Sequence, residues 1–282
     1  MNGRKLPQRS FSHQEFSTDR HPSPYVDLAG FTLIPFAANN PGTLTGAGNN
    51  TYLFDGAEPT LIDAGVGKPE HIDAIAAHLN GRALARVLVT HGHPDHASGV
   101  PALRSRWPGL EASKWTEGSD PAWQALRDND RVRVGDAWLT VVHTPGHAPD
   151  HVCFWQPDTR DLFCGDMMTA TTTIMVPPAA GGGSLLAYLA SLHRLADLQP
   201  ATAWPGHGPV ISRPVERLHE YLAHRAERER QVVACLDAGL ADIDAIVARV
   251  YTETPHALWP AARLTVEALL EKLREDGRPT NG

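Results

Sequence analysis

Four side chains able to hold a metal ion fall within six residues: His91, His93, Asp95 and His96 of His91-Gly92-His93-Pro94-Asp95-His96. Three more stand at turns further on: His147 in Thr144-Pro145-Gly146-His147, Asp166 in Cys164-Gly165-Asp166, and His207 in Pro205-Gly206-His207-Gly208. Neutral imidazole nitrogen and carboxylate oxygen are ligands that zinc takes at ~2.0–2.2 Å, and a catalytic zinc keeps one position open for water. Seven such groups suffice for two adjacent ions. Gly92 and Pro94 fix the first loop, so that His91 and His93 can turn to one point while Asp95 and His96 face a neighbouring one. The chemistry this predicts is metal-assisted hydrolysis, in which the ions and not a side chain generate the nucleophile. The predicted complement is two Zn2+, and the ligand types also accommodate iron or manganese at either position.

The elements that must carry these residues follow from hydrophobic period. Phe31–Ile34, Thr51–Phe54 and Thr60–Asp63 read as successive antiparallel strands, and Val87–Val89 as a short buried strand ending where the histidine cluster begins. Further strands are predicted at Arg131–Val134, Trp138–Val142, His151–Trp155, Asp161–Phe163 and Thr202–Trp204, so motif residues recur at strand ends. Helical spacing runs over Lys68–Leu79 and Ser184–Leu198. Hairpin-length loops between several strands favour two mixed sheets packed together with helices outside, over a parallel doubly wound sheet. From Pro214 a long helix runs to about Ala238 and stops at Gly239. Helices over Ile243–Tyr251 and Pro260–Glu275 then suggest a helix-turn-helix or winged-helix module.

The chain has 282 residues, 42% of them hydrophobic, and a net charge of −7. That is enough for one large core with an appendage, and it gives no general attraction to phosphate backbones or anionic lipid. Cys153, Cys164 and Cys235 are odd in number and far apart, which fits a reducing, cytoplasmic setting and no disulfide framework. No run approaches the ~20 apolar residues of a membrane span, and the N-terminal stretch lacks a signal-peptide core. Residues 1–26 are expected to be a flexible arm.

In order and spacing, His91-x-His93-x-Asp95-His96, Pro-Gly-His147, Gly-Asp166 and Pro-Gly-His207-Gly resemble the metallo-β-lactamase-fold hydrolases. Asn50-Thr51-Tyr52-Leu53 and Leu61-Ile62-Asp63-Ala64-Gly65 look like that fold's opening strands. The resemblance implies an α/β fold, a four-layer αββα sandwich over residues 27–212, with the site at one edge of the paired sheets. It also implies that His91, His93 and His147 hold one zinc and Asp95, His96 and His207 the other. Asp166 would bridge them, and Asp95 and Asp166 would be the catalytic carboxylates around a metal-bridging hydroxide. By the same resemblance, zinc β-lactamases lack the bridging carboxylate at the Asp166 position. The 40 residues between Asp166 and His207 leave no room for a large inserted nuclease domain.

Residues 213–282 resemble the winged-helix end of the β-lactamase-like protein 2 family through Tyr221-Leu222-Ala223-His224-Arg225, Val250-Tyr251 and Leu269-Leu270-Glu271-Lys272-Leu273. That family is associated with single-stranded RNA cleavage and with release of acyl chains from carrier-protein thioesters. The net charge of this tail, −2, is a poor footprint for RNA. Hydrolysis of a thioester or related acyl ester, on a small-molecule or carrier-bound substrate, is therefore the preferred expectation. A metal-dependent endoribonuclease is the alternative, and a non-catalytic winged-helix binding protein the third reading.

Five further features complete the expectation. Asp63 either orients a metal ligand or serves a structural turn. His151 is taken as a satisfied structural histidine and Cys164 as a buried inert thiol. His224 and Arg225 either face substrate or pack their helix. The Thr, Pro and Gly-rich stretch Met167–Gly183 is expected to be a loop over the metals that shapes the substrate site.

Overall fold

The structure, a computed structural model, describes residues 26–28, 31–43 and 45–278. All but the last residue of the expected N-terminal arm lies outside the described residues. The order of elements is β1 (Val26–Leu28), β2 (Phe31–Ala37), β3 (Asn50–Asp55), β4 (Thr60–Ile62), α1 (Pro69–Leu79), β5 (Arg86–Leu88), α2 (Pro94–Ala97) and α3 (Val100–Arg106). Then come β6 (Glu111–Trp115), β7 (Gln124–Leu126), β8 (Arg131–Val134), β9 (Ala137–His143), β10 (Val152–Gln156) and β11 (Asp161–Gly165). The chain continues through α4 (Leu185–Asp197), β12 (Thr202–Pro205), α5 (Pro214–Asp237), α6 (Ile243–Val250) and α7 (Trp259–Glu275).

Two mixed sheets result, as the strand pattern predicts. The first runs β1-β2-β3-β4-β5-β6-β7, antiparallel as far as β4 and parallel beyond it. The second runs β12-β11-β10-β9-β8, with only β11 and β12 parallel. Alternation along each strand sorts the side chains into layers. Tyr52, Phe54, Ile62 and Leu88 of the first sheet meet Leu139, Val141, Phe154 and Phe163 of the second. The opposite faces carry Leu53, Leu61 and Val87 onto α1 and α3, and Cys153, Trp155 and Leu162 onto α4. The four layers are thus helix, sheet, sheet, helix.

Phe163 anchors the inner layer, with ring centroids 5.5 Å from Tyr52, 5.0 Å from Phe54 and 6.1 Å from Trp204. Phe163→Ala would leave a cavity between two sheets that cannot close on it. We expect a loss of about 3–5 kcal/mol, read from the urea midpoint.

Helix ends follow local chemistry. Ser184 Oγ accepts the Ala187 N–H at 3.2 Å to cap α4, and Asp242 Oδ1 accepts that of Ala245 at 2.8 Å to cap α6. Gly239 ends α5 at φ +78°, a conformation only glycine adopts freely.

Four features depart from expectation. Order begins earlier, with Val26 already in β1. The histidine loop is irregular only through His93, since Asp95 and His96 lie on the single turn of α2. Neither β6 nor β7 was anticipated: they have five and three residues, and Glu111 and Lys114 break the apolar pattern of β6. Finally, α6 and α7 form the expected helix-turn-helix, but no strand follows β12 among the described residues. No described helix is long and apolar enough to cross a membrane.

Candidate metal centre

All seven candidate ligands come together at one edge of the sandwich. The parallel pairs deliver them: β5 leads into His91, β11 into Asp166 and β12 into His207, while the turn after β9 carries His147. Backbone bonds tie this edge together: Gly206 N–H to Gly165 O at 2.9 Å within the second sheet, and Asn50 N–H to Gly206 O at 2.8 Å from the first sheet to the second. Three overlapping groups have ligand atoms within 4.8 Å of one another: His91, His93 and His147; His91, His96 and Asp166; and Asp95, His96 and His207.

Hydrogen-bond partners identify which nitrogen faces the centre. The Asp63 carboxylate accepts the Thr90 N–H at 2.8 Å, the Thr90 hydroxyl at 3.0 Å and His96 Nδ1–H at 2.8 Å. Because the Thr90 hydroxyl donates to Asp63, it accepts from His91 Nδ1–H at 3.1 Å. His147 Nδ1–H donates to Met175 O at 2.9 Å. In each ring Nε2 is the nitrogen left pointing inward. His93 Nδ1 stands 3.0 Å from His91 Nε2 and 3.0 Å from His147 Nε2.

Asp166 lies between the groups. Its Oδ1 is 3.5 Å from His96 Nε2 and 3.4 Å from His207 Nε2, and its Oδ2 is 3.6 Å from His147 Nε2. That Oδ1 is buried without a hydrogen-bond partner. An orphaned, buried carboxylate oxygen among convergent imidazole nitrogens would be costly for a centre meant to stay empty. They fit a divalent cation.

The electrostatics agree. Burial, with His96 and His151 adding repulsion, pushes the His91 imidazole well below its usual pKa, so it is a neutral ligand. Burial alone would raise Asp95, but His207, His96 and the Asn49 amide outweigh it and hold the carboxyl down to about 2. Burial lowers His207, yet Asp166 and Asp95 bring it up to about 9. Without a metal, that imidazole carries the positive charge the two carboxylates require, and a metal would displace its proton.

Asp63, left open by the sequence, has both suggested roles. It sits in a turn at φ +60°, and it fixes His96 directly and His91 through Thr90. Asp63→Asn should weaken metal binding about 10–100-fold with the fold retained, as chelator competition and circular dichroism would show. Unchanged metal affinity would refute this role. His151 is a structural histidine: its Nε2 accepts the Asp166 N–H at 3.1 Å, so its Nδ1–H donates to Thr144 Oγ1 at 2.9 Å. Cys164 is fully buried and its thiol is pushed well above its usual pKa, chiefly by burial.

The Met167–Gly183 stretch is more anchored than a loop over the metals would be. Met167, Met168, Thr169, Ile174 and Val176 are buried. One stripe of α5 also binds it: Arg217 Nε donates to Thr169 O at 2.9 Å, the Tyr221 hydroxyl to Thr172 O at 2.7 Å, and Arg225 Nη2 to Ile174 O. Of the two alternatives for Arg225, helix packing describes its contacts. His224 beside it is half-buried, and burial with Arg225 and Arg228 brings its imidazole down to about 4.

No motif singles out Asn49, which is 1% exposed and whose amide faces Asp95, His96 and His207. Beside the centre, Lys114, Trp115, Thr116, Pro149 and Asp150 contribute to a cavity of about 350 Å³.

Residues 44–207, more than half of the chain, match the metallo-beta-lactamase superfamily, and residues 243–279 match the beta-lactamase associated winged helix domain. A beta-lactamase-like protein 2 homolog of Caenorhabditis elegans is 32% identical over 85% of this chain and 83% of its own. An atrochrysone carboxyl ACP thioesterase of Aspergillus chevalieri is 35% identical over 76% of this chain and 69% of its own. Among solved structures, a beta-lactamase domain protein from Burkholderia ambifaria shares the fold with a TM-score of 0.77 at 23% identity, covering 92% of this chain and 91% of that one. With its αββα layers and this edge of histidines and aspartates, the chain belongs to the metallo-beta-lactamase superfamily.

Proposed function

We propose that this superfamily member hydrolyses acyl thioesters or related acyl esters, on small-molecule or carrier-bound substrates, with two zinc ions as its complement. The observation that carries the reading is Asp166, with one carboxylate oxygen toward each ligand group. In this reading His91, His93 and His147 hold one ion, Asp95, His96 and His207 the other, and Asp166 spans them. Iron or manganese suits the same donors. When bound, such ions supply an activated water at neutral pH and polarise the acyl carbonyl.

The chain's own residues prepare that chemistry. Asp63 holds the proton on His96 Nδ1 and, through Thr90, the one on His91 Nδ1. Met175 O does the same for His147 Nδ1, and His151 fixes the Asp166 backbone. The acyl or leaving group would occupy the cavity beside Trp115, whose wall residue Asp150 packs against Gly92 of the histidine loop. Residues 27–212 form the catalytic unit of this proposal, residues 213–282 its helical appendage, and a cytoplasmic setting goes with it.

The thioester class is supported by the relative named as a thioesterase and by the acidic tail. A metal-dependent single-strand endoribonuclease is the second reading, favoured by the similarity to a beta-lactamase-like protein 2 homolog. The metal-loaded protein should hydrolyse members of a panel of acyl thioesters, and His93→Ala should not. Metal-dependent cuts in single-stranded RNA, absent from His93→Ala and unaccompanied by thioester turnover, would replace the first reading with the second.

A further inference from the structure

We propose that Asn49 controls loading of the Asp95–His96–His207 group and makes it the weaker of the two metal positions. The inference rests on the two-metal reading above. The orientation of the Asn49 amide follows from an atom that can only donate. The Asn49 backbone N–H donates to a terminal atom of Asn40 at 2.9 Å, which must be Oδ1. The other terminal atom of Asn40 is then its amino group, and it donates to Asn49 at 2.7 Å, which fixes the Asn49 acceptor as Oδ1. The Asn49 amino group is therefore the end that faces the ligands.

That amino group is 3.1 Å from Asp95 Oδ2, 3.1 Å from His96 Nε2 and 3.4 Å from His207 Nε2. His96 is held in place by its Nδ1–H donating to Asp63, so its Nε2 edge stays turned to the same point as the amide. A neutral donor thus holds the Asp95 oxygen that a cation needs and stands in the space between the three ligands. The position is held from behind: Thr45 Oγ1–H donates to Asn40 O at 2.8 Å, and the Ala38 N–H to Asn49 O at 2.8 Å. Among the described residues, the His91–His93–His147 group faces no such amide. The first ion therefore enters that group without competition, whereas a second must displace the Asn49 amide, which keeps both its protons and withdraws. Losing a hydrogen bond to a carboxylate weakens the second step by about tenfold or more.

The test is stepwise Zn2+ binding by competition with a chromophoric chelator, with Co2+ absorption spectra as an independent readout. The wild type should bind two ions, the second at least about tenfold more weakly than the first. Asn49→Asp keeps the shape and the Asn40 contact but turns lone pairs toward the group. It should tighten the second step by about tenfold or more and leave the first unchanged. Asn49→Ala should tighten it less, and Asn40→Ala, which frees the amide, should act in the same direction. A second step that is unchanged or weaker in both Asn49 variants, with the wild type still binding two ions, overturns this inference alone. A wild type that binds fewer than one ion overturns the two-metal reading, and the inference with it.

Discussion

Asp166→Ala is expected to lower the bound metal from two ions to one or fewer per chain and to reduce kcat/KM by more than about a hundredfold. Side chains that merely orient a metal ligand cost about 10–100-fold when lost, and in the proposed reading Asp166 supplies a ligand atom to both groups. Its two oxygens face His96 and His207 on one side and His147 on the other. The variant also leaves Asp95 as the one carboxylate among the seven candidate ligands, which removes half of the charge that attracts cations. Metal analysis and steady-state kinetics at saturating Zn2+ would measure both effects. Turnover within a few-fold of wild type, with the full metal complement, would falsify the bridging role.

Gly206→Ala should do comparable damage without adding or removing any ligand. A Cβ at Gly206 would lie 2.7 Å from Asp166 Oδ1 and 2.7 Å from His96 Cε1. Neither neighbour is free to retreat. Asp63 holds the His96 ring, and His151 holds the Asp166 backbone. The Gly206 backbone is itself bonded on both sides, to Gly165 and to Asn50. The strain must then fall on the metal geometry, where a displacement of a few tenths of an ångström matters. We expect metal affinity to fall about 10–100-fold, with far-UV circular dichroism unchanged. Gly109→Ala, where an added Cβ meets nothing within 4 Å, is the control. Equal metal affinity in the two variants would show that the close approach at Gly206 is immaterial.

The seven candidate ligands, which the structure brings to one edge, were legible because imidazole and carboxylate donors recur in and around short glycine and proline turns. Most strands and helices were legible because their apolar residues keep period 2 or 3.6 over enough length. β7, with three residues, is too short to show a period, and β6 is interrupted by charge. Asp63 could be noticed but not assigned, because its role depends on where the Thr90 hydroxyl sends its proton. Asn49 was invisible for a stronger reason. Its orientation depends on Asn40, nine residues away across a closed loop, and its targets lie 46, 47 and 158 residues downstream. No local pattern encodes such a meeting.

The segment pinned by the α5 stripe runs from Thr169, three residues after Asp166, to Ile174, just before Met175, whose carbonyl accepts the His147 Nδ1–H. The same apolar cluster runs from β11 through α4 and α5 to Leu273 of α7 without a break. The tail is therefore part of the scaffold that keeps two distant ligands in register, and in folding terms it belongs to the same cooperative unit as the catalytic edge. Sequence drift or proteolysis in α5, far along the chain from every histidine of the first loop, would be felt as a loosening of the metal centre before it was felt as a loss of shape.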